Sequence, residues 1–353
     1  MWPYWLLFAF FAAGAILQHP ARLADGRFDE QAPTSSGPML ALGGFLIATM
    51  VGLRFEVGAD WKTYVFYWQY AGLADLGRVL GMSDPAYQLL NWLARQARLR
   101  IWAVNLVCGA IFAWGLIRFA RTQPLPWLVL VVAVPYLVIV VAMGYSRQAV
   151  AIGLLLAGLA DLFRGGSLLR FSFYAVLAAL FHRTAVLVLP LVIFSGERNR
   201  LLSMFGGILL FYALYITLLA EDVDQLVKTY ITAEYSSQGA AIRVGLSLIP
   251  AALFLLSPKR FAFDPLQERF WRLSSYTAFA LLIALLVVPS STAVDRIALY
   301  IFPLQLAVLS RLPIAWGDGA RFLVVGYSLL IQFVWLTFAV HARFWLPYQL
   351  FPF

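Results

Sequence analysis

The chain has 353 residues, of which 62% are hydrophobic and only 12% charged, and its mean hydropathy is +0.82. A soluble protein of this length cannot cover that much apolar surface with so few charges, so the composition excludes a soluble globule and defines a polytopic membrane protein. The net charge of +9 is read as arginines gathered in cytoplasmic loops by the positive-inside rule, not as a nucleic-acid surface.

A membrane-crossing helix needs about 20 mostly apolar residues. Apolar segments run over 2–17, 39–53, 101–118, 125–143, 147–163, 200–220, 242–257, 272–288, 297–310 and 321–340. A further one, 169–195, is interrupted by Phe181-His182-Arg183-Thr184. The pattern predicts an all-α, polytopic transmembrane helical bundle of about 10–12 membrane segments, forming one integral membrane domain over 1–353. Segment 2–17 has no basic flank and no clean cleavage site, so it is read as the first membrane helix and not as a signal peptide. The two pieces of 169–195 are each about a dozen residues, some 20 Å long. That is short for a crossing, so a broken or re-entrant helix is expected near 181–184, where irregular backbone must be buried in protein or line a watery cavity.

Basic residues set the orientation. Arg118/Arg121, Arg164/Arg170, Arg198/Arg200, Lys259/Arg260/Arg269/Arg272 and Arg311/Arg321 lie in short connections and mark the cytoplasmic side. Threading the chain through them puts both termini outside. The outward face then holds the long loop 54–100, the turn at Gly144-Tyr145-Ser146-Arg147, the His182-Arg183 break, the loop 221–241, the turn 289–296 and the tail 341–353. Within loop 54–100, Asp84-Pro85 starts a helix over 84–98 with Tyr87, Leu90 and Trp92/Leu93 at helical spacing. This amphipathic helix lies either on the bilayer surface or against the rest of the protein.

No CxxC, HExxH, Walker A or GxGxxG pattern occurs; Cys108 is the only cysteine and there are three histidines, so no metal site and no cofactor is expected. What remains is a set of ionisable residues at the edges of apolar segments, where charge is costly and faces a cavity or a partner. Arg54, Glu56, Asp60, Lys62, Arg147, His182, Arg183, Asp295, Arg296, His341 and Arg343 all reach the outward side from distant parts of the chain. They form either one shared site or several independent ion pairs.

Local chemistry sharpens several of these. Ser146 is a natural cap for a helix over 147–163, which puts the Arg147 cation in a first turn whose macrodipole favours an anion. Free N–H groups and a guanidinium fork there suit a phosphate; the alternative is an arginine reaching to lipid headgroups. Asp295 and Arg296 are adjacent and cannot pair well along one helix face, so each is expected to find a different partner. His182 is either a proton-transfer group and phosphate donor or a neutral imidazole satisfying the broken helix, with Thr184 as cap for the second half. Asp60 is placed to cap a helix beginning at Trp61, and it shares a face with Tyr64 and Tyr67. Arg54 and Glu56, two residues apart, lie on the same side if the segment is extended.

Arg-x-x-x-Gly-x-Asp-x-x-x-Tyr at Arg54, Gly58, Asp60 and Tyr64, closing a membrane helix, resembles the EpsG-type family of exopolysaccharide polymerases, which is similar to the Wzy O-antigen polymerases. Ser146-Arg147-Gln148, Phe181-His182, Asp295-Arg296-x-x-x-Tyr300 and Trp345-x-Pro347-Tyr348 continue the match in order. Arg183 departs from it, standing where the family often has lysine or another residue. The resemblance implies a GT-C-like membrane glycosyltransferase of the bacterial inner membrane, with its active site facing the periplasm. Its substrates would be oligosaccharide repeat units on undecaprenyl diphosphate, and its other partners the bilayer and polysaccharide export proteins. Asp60, Glu56 and His182 are then the candidates for the base. Arg54, Lys62, Tyr64, Tyr145, Arg147, Arg183 and Arg296 are the candidates for holding the diphosphate and sugars. An O-antigen-ligase-like transferase shares these features, whereas a lipid-linked sugar flippase would spread charge through the membrane depth and show internal repeats.

Overall fold

The computed structural model describes residues 1–18, 37–196, 239–287 and 291–351, with a few positions between 205 and 216. The predicted segment 200–220 and loop 221–241 therefore lie largely outside the described residues, as do positions 289 and 290 of the turn 289–296. The chain is an all-α bundle. Among the described residues the only strand-like pairing is a single antiparallel bridge between Arg54 and Leu350.

Apolar helices α1 (Trp2–Leu17) and α2 (Gly37–Gly52) lead into the outward loop, which folds as three helices: α3 (Trp61–Ala71), α4 (Leu76–Leu80) and α5 (Pro85–Gln96). Next come α6 (Ile101–Ala120), α7 (Pro126–Ala133) continuing as a π-helix over Val134–Ala142, and α8 (Ser146–Leu162). The predicted break is present. α9 (Leu168–Phe181) stops at His182, a 3-10 turn covers Arg183–Val188, and α10 (Leu189–Ser195) resumes the helix. After α11 (Ala240–Leu256) and α12 (Pro265–Val287), the short helices α13 (Ser291–Ala298), α14 (Pro303–Ser310) and α15 (Leu312–Trp316) precede α16 (Ala320–Phe338). Among the described residues four stretches are long and apolar enough to cross a membrane alone: Ile101–Ala120, Pro265–Val287, Val294–Trp316 and Ala320–Phe338. Others, such as Trp2–Leu17 and Ala240–Leu256, are shorter apolar helices of 10–17 residues.

Lipid gives helices no hydrophobic reason to associate, so close contact of small residues must supply the dispersion energy. α6 is the axis of that contact, lying between α2 and α8. A Cβ on Gly115 would stand 1.8 Å from the Gly153 carbonyl oxygen, and one on Gly52 would stand 2.5 Å from Leu106 Cα. The π-helix and α8 are almost wholly buried at the centre. A π turn leaves carbonyls poorly paired within the helix, and one of them, on Ile139, accepts from Trp345 Nε1 at 2.7 Å.

Trp345 belongs to the tail, which threads back into the bundle. Its indole is buried, and its carbonyl accepts from Tyr4 Oη at 2.8 Å. Main-chain bonds join the tail to the segment after α2: Phe55 N–H to Gln349 O at 2.9 Å, Gly58 N–H to Phe344 O at 2.8 Å, and Phe351 N–H to Leu53 O at 2.7 Å. Glu56 and Gly58 have φ of 54° and 105°. A Cβ at Gly58 would lie 2.3 Å from Met143 O, so both the backbone conformation and the available space require glycine there.

Arg311 and Arg321 are not the solvated loop charges that the positive-inside reading expects. Both are buried. Arg321 Nη1 donates to Gln18 O at 2.7 Å and Ile16 O at 3.1 Å, satisfying carbonyls at the α1 C-terminus. Arg311 donates to Gln123 Oε1 at 3.0 Å and Ala262 O at 2.8 Å.

Arg54 is the corresponding hub at the opposite end of the bundle, and it is fully buried. Its guanidinium donates to Val57 O at 3.2 Å, Ser146 Oγ at 2.7 Å, Asn105 Oδ1 at 3.4 Å and Val51 O. One side chain thereby fixes the end of α2, the following turn, α6 and the start of α8. Arg54→Ala should cost about 1–3 kcal/mol for each acceptor left dry, lowering the thermal unfolding midpoint in detergent. Arg54→Lys, which keeps the charge but not the fork, should recover only part of that loss.

Candidate functional site

The first turn of α8 faces the outward loop, and the arrangement is built around a residue that the sequence reading used only as a helix signal. Asp84 sits at the N-cap position of α5 but makes no capping bond, and its backbone is left-handed, with φ 56° and ψ 60°. That conformation is tolerated by Asp more than by most residues, is disfavoured before proline, and costs about 1–3 kcal/mol. Asp75, in the same loop, shows the ordinary alternative: extended backbone at ψ 161° and a side chain accepting from Arg78 N–H at 2.9 Å. Asp84 instead sends its carboxylate inward, where its side chain is 3% exposed. Oδ2 accepts from Arg147 Nη1 at 2.6 Å and lies 3.8 Å from His182 Nδ1, and Oδ1 accepts from the Arg183 backbone N–H at 3.3 Å.

The anion that the macrodipole argument requires beside Arg147 is therefore supplied by the protein itself. The Arg147 guanidinium also lies 5.2 Å from the Tyr67 ring centroid, a cation–π arrangement. Tyr64 and Tyr67 each meet Tyr87 edge-on, with centroids 5.6 and 6.4 Å apart. These contacts decide the two readings of the loop helix. The face of α5 formed by Tyr87, Gln88, Asn91 and Ala94 is buried against the protein, while Leu93, expected on the membrane face, is exposed.

Other predicted residues separate into distinct environments. Ser146 is the first residue of α8 and not its cap; its hydroxyl receives Arg54 instead. Arg54 itself is withdrawn from any ligand by its four acceptors. Glu56 is exposed, because its left-handed backbone turns it away from Arg54; the segment is not extended as expected. Lys62 is exposed on α3. Thr184 does not cap; its hydroxyl donates to Tyr300 Oη at 3.2 Å. Asp295 pairs with Arg243 on α11, and Arg243 also approaches the Tyr145 ring at 5.8 Å. Arg296 points the other way and is exposed, and its carbonyl accepts from Gln148 Nε2 at 2.7 Å, which holds α13 against α8. Asp295 thus finds its partner on another helix and not in adjacent Arg296. The sequence reading missed Asp84 and Arg243; a lone arginine inside an apolar run was the available signal for the second.

Asp60 stands at the cap position of α3 without a capping bond. Burial raises its carboxyl above the usual 3.8, against the opposing pull of Arg296 and Arg147. Burial acts on Asp84 in the same direction, but His182, Arg147 and the Arg183 N–H outweigh it and hold that carboxyl below the usual value. The two carboxylates are pushed apart in acidity, the pattern that separates a group able to take a proton from one that stays charged. His182 is buried, and neither ring nitrogen has a hydrogen-bond partner among the described residues. Such orphaned polar atoms mark a place for water or ligand. No cluster of three or more His, Cys, Asp or Glu side chains positioned for a metal ion occurs among the described residues.

An all-α bundle of apolar helices with a charged centre under the loop 54–100 defines a polytopic membrane protein. The EpsG family profile matches residues 39–350, and the chain belongs to that family, which carries an exopolysaccharide polymerase type of function. No curated protein and no solved structure shows detectable similarity to it.

Because the folded chain holds a proton on Asp60 more tightly than the unfolded chain does, ionising it costs stability as pH rises from 3.8 through its raised value. Asp60→Asn should therefore raise the thermal midpoint at pH 7, with the gain closing as pH falls towards 3.8. A lower midpoint at pH 7 would show that the carboxylate serves as a stabilising cap.

Proposed function

We propose that the protein is a membrane glycosyltransferase that joins oligosaccharide repeat units carried on undecaprenyl diphosphate, working on the periplasmic face of the bacterial inner membrane in a GT-C-like manner. An acceptor-sugar hydroxyl attacks the anomeric carbon of the donor unit. The bond from that carbon to the diphosphate oxygen breaks, and the diphosphate leaves with the electron pair. The hydroxyl proton passes to Asp60. The raised pKa of this half-buried, uncapped carboxylate, in the field of two arginines, is the observation that carries the reading.

Charge develops on the leaving diphosphate, and preorganised donors aimed at it are worth most in a site of low dielectric. Arg147 and Arg296 fill that role in this reading, so the reaction proceeds without a metal. His182 and Arg183, both beside Asp84, are assigned contact with a phosphate oxygen. Tyr64 and Tyr145 line the approach, while Arg54 serves by holding the α8 terminus. Glu56 and Lys62, both exposed, are assigned to the entrance and to no step of the chemistry.

Purified protein in nanodiscs, given the lipid-linked repeat unit, should form a ladder of longer products that survives EDTA. Arg147→Ala and Asp60→Asn should each reduce elongation by at least about 10²-fold, the size of a lost transition-state donor or base. Translocation of single units without elongation would overturn the proposal.

A further inference from the structure

Asp84 adopts a left-handed backbone immediately before a proline, gains no helix cap from it, and is almost fully buried. Its carboxylate reaches Arg147, 63 positions along the chain, and the Arg183 N–H, 99 positions along, and it lies beside His182. Such an arrangement has no local rationale. We infer that Asp84 is a positioning residue of the outward site: it aims the Arg147 guanidinium and seats the His182-Arg183 turn against it.

The inference rests on the reading of this centre as a diphosphate site. Arg147 is constrained on two sides, by the carboxylate at 2.6 Å and by the Tyr67 ring at 5.2 Å, and its side chain keeps 20% exposure. The carboxylate takes one nitrogen of the fork and Tyr64 also bonds the guanidinium, so only its exposed part can meet a ligand. Pairing with Asp84 also offsets most of the arginine's net charge. The site then offers directed N–H donors without the full pull of a free cation, so a diphosphate is oriented and still able to leave. Placement of this kind acts on the rate, because reacting groups displaced by about 1 Å lose on the order of 10² in rate.

Asparagine separates this role from a purely structural one. It accepts the left-handed conformation as readily as aspartate, so Asp84→Asn preserves the turn while removing the charge. The test is a double-mutant cycle of Asp84→Asn and Arg147→Ala in nanodiscs, with thermal unfolding recorded for each variant. For chain elongation, Asp84→Asn should lower kcat about 10²-fold while KM for the lipid-linked donor stays constant or falls. On the Arg147→Ala background the same change should add less than about threefold, as for two residues acting through one contact. An Asp84→Asn protein that folds and keeps wild-type kcat overturns the inference, as does a defect that multiplies in full with Arg147→Ala.

Binding of inorganic pyrophosphate gives a readout independent of elongation. Asp84→Asn should tighten it at least about fivefold by freeing the Arg147 charge, and this gain should vanish without Arg147. If the wild type elongates nothing, the polymerase reading fails, and the pyrophosphate cycle still decides the role of Asp84. No change in affinity, or a change that persists in Arg147→Ala, overturns it.

Discussion

Four hydrogen bonds from one buried guanidinium organise the outward half of this bundle. Arg54 carries its charge into a place where no water can solvate it, so its N–H groups must all be answered by the protein. The acceptors are Ser146 Oγ, Asn105 Oδ1 and two carbonyls, drawn from the start of α8, from α6, and from the end of α2 and the turn after it. Satisfying that one residue sets the relative position of three helices. The first turn of α8 follows from it, and with that turn come Arg147 and Gln148, the residues that gather the loop and α13 above the membrane helices.

On top of this frame the chain sets two carboxylates in contrast. Both lie at helix N-cap positions, and neither caps. Asp84 is surrounded by cationic and N–H partners and stays charged, whereas Asp60 is left with burial as its dominant influence. The difference comes from partners supplied by distant segments and not from either residue's neighbours in sequence. Under the proposed function, the fixed anion would orient an arginine and the second carboxylate would take the proton.

The bundle was legible because its signal is local. Apolar runs gave the helix positions to within a few residues, and the polar Phe181-His182-Arg183-Thr184 interruption marked a real break. The site was legible in part. The misplacement of Arg147 against its helix dipole pointed to an anion, but the identity of that anion depended on a loop folding back across 63 positions. Asp84 read as an ordinary Asp-Pro helix start, and only its left-handed backbone reveals otherwise. Arg54 and Glu56 looked equivalent as charges, yet a turn required by Gly58 buries one and exposes the other. Burial of a charge is decided by packing, to which a one-dimensional pattern is blind. Arg311 and Arg321 make the same point on the opposite side: counted as loop charges, they are ligands for carbonyls.

The pairing of residues 53–58 with 344–351 has a consequence for biogenesis. These strands of chain are separated by nearly the whole sequence, and the main-chain bonds that hold the turn before Asp60 come from the later one. During membrane insertion, α1 and α2 are in place long before Trp345 has been synthesised. The turn carrying Gly58 and Asp60 must wait unpartnered until the segment around Trp345 reaches its slot between Tyr4 and Ile139. The pairing that fixes the turn around Gly58 is thus completed late in synthesis, after the segment through Phe351 has been translated.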